Sequence, residues 1–530
     1  MRKLILLSVI LSLFSGVLVA QEETEPTEQP KIKVNNYTWK TDRVNSAQAD
    51  HSQFDVLKQE FTSAHDVTEA CIYCHTKRDE EIMATSHWNW ERTEMLAGKG
   101  EVPVGKKNIL NNFCIGVAGS EATCTRCHIG YGWADKSFDF NEPKNIDCLV
   151  CHDNSGTYEK GKGMAGYPDP SVNLSYVAQN VGQPQRENCG VCHFWGGGGN
   201  NVKHGDMEIA LLEPSKKLDV HMAIEGEDMS CVDCHVTEKH QMACKLYALS
   251  SENKNRATCE QCHTEAPHKN QRINDHNMRV ACQTCHIPTY AKANSTKMVW
   301  DWSTAGVLDD EGKPMHESDA DGNHNYLSIK GTFVWDNNVT PEYFWFNGVA
   351  NHQLITDIID TIPIQMNSLD GSYNDKGKNQ KSLNPSKIWP VKVHRGKQIY
   401  DTEYKTLIQP KLWSPNAGDS AYWVDFDWDE ASAAGMNYLG LPYSGKYDFV
   451  ETEMYWPLNH MVASKEEALS CKDCHTRDNG RLASLDDFYL PGRDKNKYLD
   501  IFGIAMVVMA VFGVTVHGAI RVFVSKKNNV

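Results

Sequence analysis

Sixteen of the eighteen cysteines in this chain of 530 residues occur as eight copies of Cys-x-x-Cys-His. The copies are Cys71, Cys74 and His75; Cys124, Cys127 and His128; Cys148, Cys151 and His152; Cys189, Cys192 and His193; Cys231, Cys234 and His235; Cys259, Cys262 and His263; Cys282, Cys285 and His286; and Cys471, Cys474 and His475. Two thiols at this spacing add to the vinyl groups of a porphyrin, and the adjoining imidazole ligates its iron, which is the chemistry of c-type haem attachment. Composition alone would yield roughly 0.03 such matches in a chain this long. Zinc sites and disulfide frameworks leave the trailing histidine unexplained. The sequence therefore predicts eight covalently bound haems.

The elements that must carry these sites follow from their spacing. Successive motifs start 53, 24, 41, 42, 28, 23 and 189 residues apart, too irregular for a solenoid. Each haem brings a large apolar disc, so the intervening segments can pack on porphyrin with little regular structure. A mainly α fold with extensive coil, organised around eight haems, is expected. Helical patches are expected at Asp79 to Glu94 and Leu354 to Ile362, and the four consecutive glycines between Trp195 and Asn200 mark a loop.

The predicted organisation is a secretory signal over 1–20, a leader over 21–64, a seven-haem domain over 65–290, an aromatic-rich lobe over 291–468 that packs on haems, an eighth haem segment over 469–490, a transmembrane helix over 498–524 and a cytoplasmic tail over 525–530. A basic start (Arg2, Lys3), an apolar run and a small residue at Ala20 define the signal. Ile501 to Ile520 contains no Lys, Arg, Asp or Glu and is long enough to cross a bilayer. Together these place the haem-bearing part on the periplasmic, extracytoplasmic face, with a C-terminal anchor. The lobe holds nine of the fourteen tryptophans, a density that rarely stays exposed. A formal charge of −16 argues against nucleic acid as a partner.

Axial ligation separates an electron wire from a catalyst, because only a haem with an exchangeable position can bind a reactant. Of the histidines outside the motifs, His87, His204, His221, His240, His268, His276, His394 and His460 are the candidate distal ligands, each with an ordinary core or surface role as its alternative. His51, His65, His316, His324 and His352 lie in polar contexts without further support. His517 falls inside the apolar segment, where an ionisable residue is often functional. It is a candidate to ligate a b-type haem, or to contact quinol, together with a membrane quinol-oxidising or cytochrome partner.

Longer phrases around the motifs carry a family resemblance. Thr85-Ser-His-Trp-Asn-Trp90, Gly105-Lys-Lys-Asn-Ile-Leu-Asn-Asn-Phe-Cys114, Ile146-Asp-Cys-Leu-Val-Cys-His152, Asn188-Cys-Gly-Val-Cys-His-Phe-Trp-Gly-Gly-Gly-Gly199, Val202-Lys-His-Gly-Asp206 and Ala281-Cys-Gln-Thr-Cys-His-Ile-Pro288 closely resemble the octahaem tetrathionate reductase family, relatives of hydroxylamine oxidoreductase. The resemblance implies that the second haem, on Cys124, Cys127 and His128, is catalytic. It also implies that Lys203 is the other axial ligand of that haem and that Cys114 lies nearby as a free thiol. An acidic residue three positions before the lysine is implied as well, whereas this chain has Asn200, which puts the exact substrate in question.

The chemistry of such a ligand is demanding. Lysine binds iron only as the neutral amine, and lowering its pKa from about 10.4 to neutrality requires roughly 4.6 kcal/mol, to be supplied by coordination and desolvation. Cys114 has two readings: a disulfide with Cys244, or a thiol that exchanges with the sulfur–sulfur bond of a polythionate. Lys106, Lys107 and Arg126 are candidates for a positive funnel that admits small inorganic anions such as tetrathionate, nitrite or thiosulfate. Three functions are compatible with these residues: a multihaem reductase of tetrathionate, nitrite or hydroxylamine, which is the preferred one; a purely electron-transferring cytochrome; and a hydroxylamine- or hydrazine-oxidising dehydrogenase.

Overall fold

The computed structural model describes residues 47–244, 256–374, 385–494 and 496–527; the secretory signal and the first part of the leader lie outside them. Each attachment motif sits on a helical turn, the longest being Ala64–Cys74 and Arg186–His193. On a helix, positions three apart share a face, so Cys-x-x-Cys presents both sulfurs to one side and leaves the histidine at the helix end. Local capping fixes several of these short turns. Ser63 Oγ accepts from Asp66 N (3.2 Å) ahead of the first motif. At the fifth and eighth, Ser230 and Ser470 donate their backbone N–H to Asp233 and Asp473, each at 2.6 Å, in reciprocal capping boxes.

The aromatic-rich segment is built on a sheet, where short helices and coil were expected. Its eight strands are β1 (Thr296–Asp301), β2 (His316–Ser318), β3 (His324–Leu327), β4 (Gly331–Asp336), β5 (Glu342–Phe346), β6 (Ile364–Gln365), β7 (Lys387–Asp401) and β8 (Tyr447–Pro457). They run in the order β6-β8-β7-β1-β4-β3-β2, with β5 also paired to β7. The β7/β1 and β6/β8 pairs are parallel, and the remaining pairs are antiparallel. Phrases such as Gly-Thr-Phe-Val-Trp-Asp and Glu-Tyr-Phe-Trp-Phe are rich in the β-branched and aromatic side chains that suit a half-buried pleated surface, and they explain the difference.

Local chemistry also redirects the two expected helical patches. The first resolves into helices Arg78–Met83 and Ser86–Asn89, then stops at Trp90, whose φ of 52° is left-handed, before strand Arg92–Leu96. The second is not helical, because its amides find partners elsewhere: Leu354 N donates to Asp357 Oδ2 (2.7 Å) and Ile359 N to Lys405 O (2.7 Å).

The largest core cluster joins the sheet to the segments around the second motif. Trp300, Trp302, Ile399, Met454 and Trp456 of the lobe pack with Leu96, Val104, Ile109, Phe113 and Val202. The lobe therefore forms the floor beneath the loops that carry Cys114 and Lys203. C-terminal to the eighth motif, a helix runs from Lys497 to Lys527, and its 497–524 stretch, which contains an 18-residue window of mean hydropathy 2.3, is long and apolar enough to cross a membrane.

Trp300 anchors the core: it is fully buried, stacks on Trp302 with centroids 5.0 Å apart, and donates from Nε1 to Lys330 O (2.8 Å). Trp300→Ala is expected to destabilise the haem-loaded protein by about 3–5 kcal/mol, read as a lowered Tm.

Candidate haem centres and reactive pocket

Six motif histidines face a second histidine at nearly one separation. Ring centroids lie 6.2 Å apart for His75 and His51, 6.2 Å for His193 and His87, and 6.2 Å for His235 and His460. They lie 6.0 Å apart for His263 and His221, 6.3 Å for His286 and His268, and 6.2 Å for His475 and His276. This spacing is too wide for stacking contact. Twice a metal–imidazole bond of about 2.0–2.1 Å, plus twice the ring radius, gives about 6.3 Å, so each pair fits an iron held between two imidazoles.

The hydrogen bonds on the rings agree with that fit. Nδ1 lies within hydrogen-bond distance of Pro491 O for His475 (2.8 Å), Ala243 O for His235 (3.0 Å), Arg272 O for His276 (2.7 Å) and Ala49 O for His51 (3.0 Å). Donation from Nδ1 fixes the tautomer that leaves Nε2 free for a metal. The third motif follows the same rule: His152 Nδ1 bonds Gly182 O (2.8 Å), and His240 Nδ1 bonds Glu81 Oε2 (2.9 Å), with His240 near enough to depress the pKa of His152 after burial.

Three histidines thus stand elsewhere than the sequence suggested. His51, which had no local support, faces His75. His394, expected as a distal ligand, is buried on β7 against Phe113 (4.6 Å), and its ring nitrogens have no hydrogen-bond partner among the described residues. His204 meets Trp456 (4.6 Å) rather than a motif histidine. Spacing along the chain could not reveal these placements, because partners such as His276 and His475 are far apart in sequence.

Sulfur neighbours order the sites. Cys71 contacts Cys148, Cys127 contacts Cys192, Cys189 contacts Cys231, and Cys259 contacts Cys282. Weaker electrostatic neighbours are Cys151 with Cys189, Cys234 with Cys262, and Cys285 with Cys471. Thioethers would replace these thiols in the haem-bearing protein, so the contacts mark proximity. They define a series of sites one, three, four, five, six, seven and eight, with the second as a spur on the fourth.

The second site differs from the rest. Among the described residues no histidine faces the His128 ring in the way seen at the six pairs. Trp88, Trp90, Trp133, Phe138 and Phe140 box the ring in, and its bonding is the reverse of the other rings: Nε2 lies 2.6 Å from Trp88 O, while Nδ1 has no partner among the described residues. Lys203 is half-buried near Cys127 of this motif, its Nζ 4.8 Å from the Trp456 ring centroid. Burial first, and then the charge of Lys106, pulls its pKa down to about 7, while Cys127 acts in the opposite sense. The neutral amine needed for ligation is therefore accessible near neutral pH.

The loop carrying Lys203 is gripped from the sheet. Lys392, fully buried on β7, donates from Nζ to Val202 O (2.9 Å), Lys203 O (3.1 Å) and Thr296 Oγ1 (2.6 Å). Gly205, with φ +85°, lets the backbone pass between Tyr290 and Lys392, where a Cβ would sit 2.7 Å from the Tyr290 ring. Asp206 then accepts from Asn459 N (2.7 Å) and His460 N (3.0 Å). Asn200 turns its amide oxygen to Ile209 N (2.9 Å), bracing the same loop. On the other side, Asn112 Nδ2 donates to His394 O (3.0 Å), and Gln398 Nε2 to Asn111 O (3.1 Å), so β7 also holds the Cys114 loop.

Cys114 and Cys244 are both unbridged and keep different company: Cys114 influences Cys124 and Lys297, while Cys244 lies against His235 and Ala257 N. The expected funnel is narrower than its three candidates. Lys107 pairs with Glu91 (2.9 Å) and Arg126 with Glu159 (2.8 Å), whereas Lys106 sits over Trp90 at 4.1 Å. Two further amines escaped sequence reasoning. Lys297 is buried, 3.4 Å from the Phe333 centroid and 4.0 Å from that of Trp300, with its pKa driven well down by burial, and Lys330 is its charged neighbour. The groups that perturb Lys203 and Lys297 are amines and cysteines, with no carboxylate named among them.

A sheet-backed array of c-type attachment sites with facing histidines defines a multihaem cytochrome c. A family described as "Cytochrome c bacterial" matches residues 297–478. An octaheme cytochrome c from Shewanella oneidensis of known crystal structure is 44% identical, covering 81% of this chain and 94% of that one with a TM-score of 0.73. An uncharacterised protein of Archaeoglobus fulgidus is 23% identical over 287 residues, 44% of this chain and 90% of that protein. The chain belongs to the octahaem cytochrome c family, and it carries covalently bound haem c.

Two measurements follow. His51→Met should change the low-spin signature of one haem in electron paramagnetic resonance, whereas His394→Leu should leave every haem signal intact; the opposite pattern would reverse the assignment. Lys392→Met should release the Lys203 loop, giving a high-spin component and a fall in kcat/KM of about tenfold to 100-fold, with partial recovery in Lys392→Arg.

Proposed function

We propose that this protein is a membrane-anchored, extracytoplasmic octahaem reductase that passes electrons along its series of haems to the second site, where a small inorganic anion is reduced. The observation that carries this reading is the contrast between sites. Histidines face six of the other seven motifs as pairs, whereas the second site is flanked by a half-buried lysine of near-neutral pKa and by further amines. A saturated iron passes electrons, and one whose ligand exchanges can bind a reactant.

In this reading His128 and Lys203 would hold the second iron, and His51, His87, His221, His240, His268, His276 and His460 would be the distal ligands of the other seven. The haems supply the electrons. Lys106 and Lys330 attract the anion, and Lys297 offers a hydrogen-bond donor from its aromatic box. The substrate class is a sulfur oxyanion, tetrathionate foremost, with nitrite or hydroxylamine as the nitrogen counterpart. For tetrathionate, the Cys114 thiolate attacks the central sulfur–sulfur bond, releasing one thiosulfate and leaving the other half on sulfur. Two electrons then cleave that adduct, so that one tetrathionate yields two thiosulfates. The membrane partner is a quinol-oxidising or cytochrome protein, with His517 as the residue of the helix that would meet a b-type haem or the quinol.

A purely electron-transferring role is the second reading, favoured by the histidine pairs. Reduced-dye assays with tetrathionate, nitrite and hydroxylamine, together with carbon monoxide binding, separate the two. Lys203→Ala should alter the spectrum of one haem and change turnover by about 100-fold, and Cys114→Ser should abolish tetrathionate turnover selectively. An enzyme that neither binds carbon monoxide nor turns over any of the three substrates would refute the catalytic reading.

A further inference from the structure

We infer that the eighth haem site is the electron entry port, held at the membrane surface by the chain that follows it and facing a quinol-oxidising membrane partner. The inference rests on the reading of this chain as a membrane-anchored electron-transfer protein, and not on the identity of the anion reduced.

The geometry begins at His475, whose Nδ1 is held by Pro491 O at 2.8 Å. Gly492, at φ +92°, packs against the His475 backbone so closely that a Cβ would lie 2.7 Å from its carbonyl oxygen. Arg493 then locks the segment: Nη1 donates to Leu482 O (2.8 Å), Nη2 to Phe488 O (2.7 Å), and Nε meets Asp494 Oδ1 (2.8 Å). Leu490 N donates to Asp494 Oδ2 (2.6 Å) and closes the brace. The chain through Asp494 is therefore part of the eighth site rather than a linker.

The apolar helix starts at Lys497. Six residues from Pro491 span at most about 20 Å even when fully extended, so the anchor cannot leave the eighth site far from the bilayer. An open cavity lined by Asp486, Tyr489 and Asp494 lies on the same braced segment, and Tyr489 is 61% exposed, offering a surface for a partner. Inward, Cys474 and Cys471 neighbour Cys285 of the seventh site, so the port is also the terminus of the series that leads to the fourth site and its spur. The first site, at the opposite end, has no such tether among the described residues.

The step balances with a quinol as donor. Oxidised at the partner, it becomes the quinone, its two protons pass to water, and its two electrons leave the partner through the port, reducing two ferric haems in succession.

The test uses the full-length, haem-loaded protein in native membranes, with no anion present, and follows haem reduction by absorbance after adding a quinol or a dithionite-reduced dye. A flexible insertion of about 15 Gly/Ser residues between Asp494 and Lys497 adds an r.m.s. reach of about 20 Å. Lengthening the tether should slow quinol-driven reduction at least about tenfold by diluting the port near its donor, with dye-driven reduction unchanged. A second variant, Asp486→Lys with Tyr489→Glu, should slow the quinol-driven rate without altering the tether. Wild-type quinol-driven rates in both variants would overturn the inference. Because only haem reduction is read, an error in the assigned substrate would leave this result untouched.

Discussion

Facing imidazoles held 6.0–6.3 Å apart are the constraint on which this structure depends. Neither hydrophobic packing nor a direct hydrogen bond accounts for that gap, and a bridging metal accounts for it without strain. Much of the chain's short-range architecture serves it. Cysteines sit on single helical turns, capping boxes fix those turns, and backbone carbonyls orient the rings. The segments between the first seven motifs stay short and irregular, whereas the lobe before the eighth builds its own core on a sheet.

The sheet answers a different need. The motif turns are held locally, whereas the Lys203 and Cys114 loops are held from a distance, on a frame that lies outside them. β7 supplies that frame through a row of buried polar side chains. Lys392 grips the Lys203 loop, and Gln398 and the His394 carbonyl grip the Cys114 loop. Burying an amine such as Lys392 is tolerable because it donates to three acceptors. Lys297 is enclosed by aromatic rings instead, and burial depresses the pKa of both amines.

What the sequence made legible follows the range of the interactions. Attachment is encoded within five residues, and the apolar C-terminal helix within one uninterrupted run, so both could be read directly. Distal pairing depends on contacts between remote segments. His51 therefore looked idle among polar neighbours, while His204 and His394, in more suggestive contexts, belong to the packing around the second site. The sheet was missed for another reason: its tryptophans and tyrosines fit haem packing as well as strands, and only the alternation in phrases such as that of β4 distinguishes the two. Lys297 and Lys330 were invisible because nothing in their own sequence marks an aromatic enclosure.

The loop between Val202 and Asp206 is pinned at both ends, by Lys392 at its start and by the amides of Asn459 and His460 at its finish. A lid-like opening would tear out both attachments at once. Movement at this point of the chain is thereby left to torsions of the one aliphatic side chain of Lys203, a latch moving within a fixed doorframe.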